Sequence, residues 1–221
     1  MQRNSTKIEY TIRPILRGRD IKRYGYEFAD LWLINTHNGV REKGIKPVNI
    51  ENYPAIKKHL DVHYTELEKR FDKGVTPYNL RHCAYMEDFY KQKIVWKAVG
   101  KNLTFSLLEE GKFLTAPASF ITSKFNVYIL AFLQSNYGKY YIYNNSNTTG
   151  TGDIMLNIQS LEQIPILMPS KDFQKKIEDL VYKIVLSKGT NTKEFEAQID
   201  KIIYEMFAFT EIEMDYINCT T

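Results

Sequence analysis

A chain of 221 residues with 43% hydrophobic and 25% charged side chains is long enough for one well-filled core. It holds no apolar run near the roughly 20 residues that cross a bilayer, and its first residues lack the apolar segment of a secretory signal. Two cysteines, Cys83 and Cys219, exclude a disulfide framework and form no Cys-x-x-Cys zinc pair, so a cytoplasmic protein is expected.

The net charge of +4 hides an asymmetry. Residues 1–101 carry 20 Lys+Arg against 12 Asp+Glu, a balance of +8, whereas residues 102–221 carry 10 against 14, a balance of −4. One polyanion-facing surface produces such a split. Solvated helix faces produce it too, so charge alone does not decide the partner.

Along the chain, Ile8–Ile15 has β-branched and aromatic residues in near alternation, broken by Pro14, and predicts an edge strand or an extended entry segment. Arg17-Gly18-Arg19-Asp20 predicts a turn in which Gly18 is free to take positive φ. Leu31–Ile34 predicts a short buried strand, and residues 35–49 a polar loop. Asn52 is the expected cap of a helix with Pro54 in its first turn, carrying the stripe Ile56, Leu60, Tyr64, Leu67 and Phe71 and ending near Gly74. Lys93–Val99 predicts a strand, residues 103–108 and 112–115 a hairpin around Glu109-Glu110-Gly111, and Phe120–Thr122 another strand. Residues 126–142 predict one buried helix, 144–153 a polar loop, and Ile164–Pro169 a strand-like segment. Two helices follow, marked by Phe173, Ile177, Leu180, Val181 and Ile184 and by Ile199, Ile202, Ile203 and Phe207, with Gly189 between them. Thr210 and Glu213 complete a capping box for a last short helix. The fold class expected is a mixed α/β (α+β) body with a mixed sheet, followed by a C-terminal helical pair.

Catalytic patterns are sparse. His59 and His63 share a helix face at zinc-enzyme spacing, but Leu60 stands where the general-base Glu belongs and no third ligand follows, so they read as solvated histidines. Asp20-Ile21-Lys22 matches half of a metal-dependent nuclease site without a partner carboxylate nearby. No phosphate-cradling Gly-rich loop, nucleophile elbow or base-holding Asn/Asp-Pro-Pro-aromatic tetrad occurs.

Basic and polar loops remain. Arg13, Arg17, Arg19, Lys22 and Arg23 cluster around one turn, and Arg41, Lys43 and Lys46 lie in another loop; these are the candidate phosphate contacts. Asn144, Asn145, Asn147, Thr148, Thr149 and Asp153 offer the donor and acceptor pairs that distinguish base edges. An ordinary surface turn has the same composition.

Several stretches in order resemble the TaqI-like C-terminal specificity (target recognition) domain of type IIG restriction-modification enzymes and adenine-specific DNA methyltransferases. They are Ile12–Tyr24, Tyr53-Pro54-Ala55-Ile56 with His59-Leu60, Leu67 with Arg70, Lys93–Trp96, Ile164-Pro165-Ile166, and Asp200–Tyr204 with Phe209-Thr210-Glu211. The resemblance implies a DNA target recognition α/β domain over residues 1–169 and a helical segment packing on it over 170–221. It implies double-stranded DNA as partner, no catalytic site in this chain, and a methyltransferase or endonuclease domain in cis or in trans. S-adenosylmethionine and magnesium are expected only in that other part. The alternatives are a single-domain relative of type I specificity subunits, a small nuclease using Asp20 and Lys22, and a plain interaction module.

Overall fold

The computed structural model describes residues 11–187, 190 and 192–220. In chain order come strands β1 (Ile12–Leu16), β2 (Ile21–Lys22), β3 (Gly25–Tyr26) and β4 (Trp32–Ile34), then helices α1 (Pro54–Asp61) and α2 (Tyr64–Lys69). Strands β5 (Lys93–Lys97), β6 (Val99–Gly100), β7 (Phe105–Leu108), β8 (Phe113–Leu114) and β9 (Ala118–Ile121) lead to helices α3 (Asn126–Gln134) and α4 (Asn136–Asn145). The hairpin β10 (Asn147–Thr148) and β11 (Ile154–Met155) precedes α5 (Ile158–Glu162), α6 (Lys171–Leu186), α7 (Lys193–Phe207) and α8 (Glu211–Cys219). This is the mixed α/β class expected. Ile8–Tyr10 and Gly189 lie outside the described residues.

The chain forms two compact units that interleave in sequence. The first takes in residues up to Ile15, Asp30–Lys91 and Gly111–Phe113; the second takes in Leu16–Ala29, Gln92–Glu110 and the chain from Leu114 on. In the first unit Asn79 is the pin, because its side-chain amide donates to the Val48 carbonyl at 2.9 Å and its own carbonyl accepts from Gly74 N–H at 3.0 Å. Buried and paired in this way, it ties three irregular segments that have no sheet to satisfy their backbone groups.

The second unit has β5 as its central strand, in the order β7-β5-β9 with both pairings antiparallel. Ile94, Val95 and Trp96 are buried, as a strand covered on both faces requires. Trp96 satisfies its indole N–H on the Leu156 carbonyl at 3.1 Å, so its ring enters the core without an orphaned donor. Helix α3 is buried nearly all round, and the apolar stripes of α6 and α7 complete this core. Each such fully buried Leu, Ile or Phe contributes about 2 kcal/mol. The Thr210–Glu213 capping box forms as expected. No helix among the described residues is long and apolar enough to cross a membrane.

Several local expectations are corrected. Gly18 keeps an ordinary φ in a 3-10 turn (Gly18–Asp20), where a Cβ would make only ordinary van der Waals contact with Lys97, 3.5 Å from its Cγ. The strand at Leu31–Ile34 is an edge strand beside β1, with Trp32 55% exposed. The helix expected over 54–71 breaks at His63. Of its stripe only Ile56 is buried, and Phe71 lies fully exposed beyond α2. Asn49, not Asn52, supplies the side-chain cap, on the 3-10 turn that precedes α1.

The hairpin expected over 103–115 does not form. β7 pairs with β5 while β8 joins β1, the two parting at Gly111, whose φ of 76° a side chain disfavours. The helix expected over 126–142 breaks at Ser135, whose hydroxyl caps α4 by accepting from Gly138 N–H at 3.0 Å. Gly138 is required there: a Cβ would sit 2.0 Å from the Phe132 carbonyl oxygen. Ile164–Pro169 joins no sheet among the described residues; Ile164 bends back to the Leu161 carbonyl, and the two prolines lack the N–H a ladder needs.

Candidate nucleic-acid interface

The Arg17–Arg23 turn looks cationic in sequence, yet most of its charge is spent internally. Arg17 Nε and Nη2 donate to the two carboxylate oxygens of Asp20 at 3.0 and 2.9 Å, and Arg17 backbone N–H donates to the same carboxylate at 2.9 Å. This buckle holds the Asp20 carboxyl below its usual range and raises the Arg17 guanidinium. Lys22 turns to Glu27 at 3.3 Å. Asp20 and Lys22 thus face different partners, and the nuclease-like triplet is not assembled.

Arg23 is a cross-link within the second unit. Its Nε donates to Glu196 at 3.1 Å, Nη1 to Gln134 Oε1 at 2.6 Å and Nη2 to the Gln134 carbonyl at 2.9 Å. Gln134 in turn donates to the Phe105 carbonyl at 2.6 Å, so β7, α3 and α7 meet on one guanidinium. Beside it Asp200 accepts from Asn136 N–H at 2.7 Å, and burial pushes the Asp200 carboxyl up to about 6. Burial also lowers the neighbouring Lys139 ammonium. Arg19 remains exposed, acting on Asp20 only at a distance.

In the first unit the Arg13 guanidinium lies 5.0 Å from the centre of the Tyr90 ring, a cation–π contact. Lys43 pairs with Glu87, whereas Arg41 and Lys46 are exposed. His59 and His63 stand edge to face with ring centres 5.8 Å apart, and no group of three His, Cys, Asp or Glu among the described residues is placed to hold a metal ion.

The polar stretch 144–153 is more ordered than a loop. Asn144 and Asn145 close α4, their side-chain amides donating back to the Tyr140 and Tyr141 carbonyls at 2.7 and 2.8 Å. The chain then turns into β10, which pairs with β11, which pairs with β6. The hairpin tip bonds to itself: Thr149 N–H donates to the Asp153 carbonyl at 2.8 Å, Asp153 N–H to Thr149 Oγ1 at 3.0 Å, and Thr151 Oγ1 to the Asp153 carboxylate at 3.3 Å. Thr149 and Asp153 therefore shape the tip. Alternation along the strands decides the rest. Both β10 residues are exposed, but they take opposite faces: Asn147 stands in register with exposed Met155 and with Val99, whereas Thr148 stands in register with buried Ile154. Asn147 is thus the base-reading candidate on the outer face.

Two lysines that loop composition does not single out border this sheet. Lys97 ends β5 exposed, its Nζ lying 3.3 Å from where a Cβ on Gly100 would be, and exposed Lys101 follows directly. Alternation does not single it out, since Lys97 shares a strand face with Val95 and Lys93, both buried; Lys97 is exposed because β5 ends there.

A family model described as the TaqI-like C-terminal specificity domain matches residues 13–166, more than half of the chain. The chain belongs to this family. The match opens at Arg13, within the entry segment, and closes on Ile166. The TaqI-like fold is also similar to a solved structure, that of the Type IIL restriction-modification enzyme MmeI in complex with DNA, with a TM-score of 0.66 at 12% identity. That likeness covers 99% of this chain but 32% of the MmeI chain, so the TaqI-like chain spans about a third of that enzyme. No curated protein matches it.

Proposed function

We propose that this chain reads double-stranded DNA sequence for a type II restriction-modification enzyme, and that a methyltransferase or endonuclease domain, in cis or in trans, supplies adenine methylation or cleavage. The observation that carries the reading is the β10-β11-β6 sheet. It presents the Asn147 amide on its outer face, between a self-bonded tip and the exposed cations Lys97 and Lys101. An amide can pair with both N6 and N7 of adenine in the major groove, while lysines bind phosphate without sequence preference. Membership of a specificity-domain family supports the assignment, as does a structural neighbour described as a restriction-modification enzyme bound to DNA.

The test is selection of a preferred site from a randomised duplex pool, followed by titration of cognate and scrambled duplexes. Asn147→Ala is expected to cost about 1–3 kcal/mol on the cognate duplex and almost nothing on the scrambled one. Thr148→Ala is expected to cost less, its side chain sharing the face of buried Ile154. Equal losses on both duplexes would remove Asn147 from base reading.

A further inference from the structure

We infer that the shallow cleft beside β11 receives the C5-methyl edge of a pyrimidine, a thymine in ordinary DNA, so that this sheet reads an apolar feature as well as a hydrogen-bonding one. The inference rests on the proposed DNA-reading role.

The cleft has a volume of about 330 Å³. Val99, Met155 and Ile158 line it with apolar surface, and Ser119, Asn157 and Gln159 bring polar atoms. The side chains of Ser119 and Gln159 have no hydrogen-bond partner among the described residues, and Asn157 uses only its Oδ1, accepting from Ser160. A mainly apolar hollow with a few uncommitted polar groups is the usual make-up of a recognition pocket. A hollow this shallow suits an edge presented in a groove better than a whole base drawn out of the stack.

Register fixes where the cleft lies relative to Asn147. Val99, Met155 and Asn147 stand directly opposite one another across three strands, so their side chains share one face. Strands about 4.8 Å apart put Val99 roughly 10 Å from Asn147. That is about three base-pair steps along a duplex at 3.4 Å each. If Asn147 meets a base edge, the apolar walls meet the groove a few steps away, and the thymine methyl is the one apolar group on a major-groove edge. Lys97, adjacent in sequence to the cleft and exposed, supplies charge complementary to the flanking phosphates.

The experiment uses this chain and two versions of its selected duplex, one with thymine and one with uracil at each T position in turn. Removing one buried methyl is expected to weaken binding about fourfold at one position, and at the others not at all. Val99→Thr, which keeps shape but adds a hydroxyl, and Ile158→Gln, at a site already 43% exposed, are each expected to bind the thymine and uracil duplexes alike. Sequence-specific binding in which no uracil substitution matters overturns the inference and leaves the DNA-reading role standing. Absence of any sequence preference overturns both. A change of oligomeric state in the two variants, with thymine and uracil bound alike by the parent chain, would assign the cleft to a second copy and overturn the inference.

Discussion

The Arg17–Arg23 turn and the Asn147–Met155 hairpin are both polar, both irregular in sequence and both in the second unit, yet they do opposite work. In the turn, charge is consumed: Arg17 closes on Asp20, Lys22 on Glu27, and Arg23 on Glu196 and Gln134. In the hairpin, backbone pairing and the threonine tip hold the shape, which leaves Asn147 uncommitted on the outer face. Ion pairs engage Arg17, Lys22 and Arg23, so of this turn's cations Arg19 alone is left exposed without an ion pair among the described residues. A ladder holds the hairpin, so its side chains are available. A cluster of arginines next to acids is as often a clamp within a fold as a surface for a polyanion.

The largest effect expected from this contrast is on stability. Arg23→Ala would leave the buried Gln134 and the half-buried Glu196 without their partner, and should cost about 2–3 kcal/mol in urea unfolding. Its effect on DNA affinity, measured where the variant is folded, should be small. A stable variant unable to bind DNA would break the contrast by making Arg23 a phosphate ligand after all.

A smaller effect belongs to the sheet border. Lys97→Ala with Lys101→Ala should reduce affinity for cognate and scrambled duplexes alike and flatten the salt dependence by about one unit of slope per lysine removed. An unchanged slope would place the phosphates elsewhere on the molecule.

A third effect, seen only in the pH dependence of stability, concerns Asp200, which borders the Arg23 cluster. Burial raises its carboxyl to about 6, against about 3.9 in an unfolded chain. Between those values the folded state keeps a proton that the unfolded state releases, so this group's contribution to stability falls as pH rises from about 4 to 6. The groups facing it, Lys139, Glu196, Arg23 and the Asn136 N–H, stay in place when Asp200→Asn removes the titration. The variant should therefore show a flatter stability profile over that interval than the parent chain. An identical profile would mean that another group sets it.

Much of this molecule is legible where short-range rules suffice. The β5 run Lys93–Lys97, the stripes of α6 and α7 and the Thr210–Glu213 box each follow from local periodicity or capping chemistry. The site is legible in part: loop composition points to Asn147, whereas Lys97 stands out only once the structure shows β5 ending there, its last residue exposed. Asn144 and Asn145 look equally suited to bases, but they bond back to their own helix, a local competition that composition does not reveal.

By itself the sequence determined the class of the fold, its family and the helices of its C-terminal part, because these rest on patterns repeated over many residues. Only the tertiary structure decided which charges are free, which strand partners β7 and β8 take, and that two units interleave along the chain. The physical reason is the same in each case. A guanidinium chooses among carboxylates, and a strand among edges, by proximity in space. Glu196 and Gln134 reach Arg23 from 173 and 111 residues away, a separation no local pattern records.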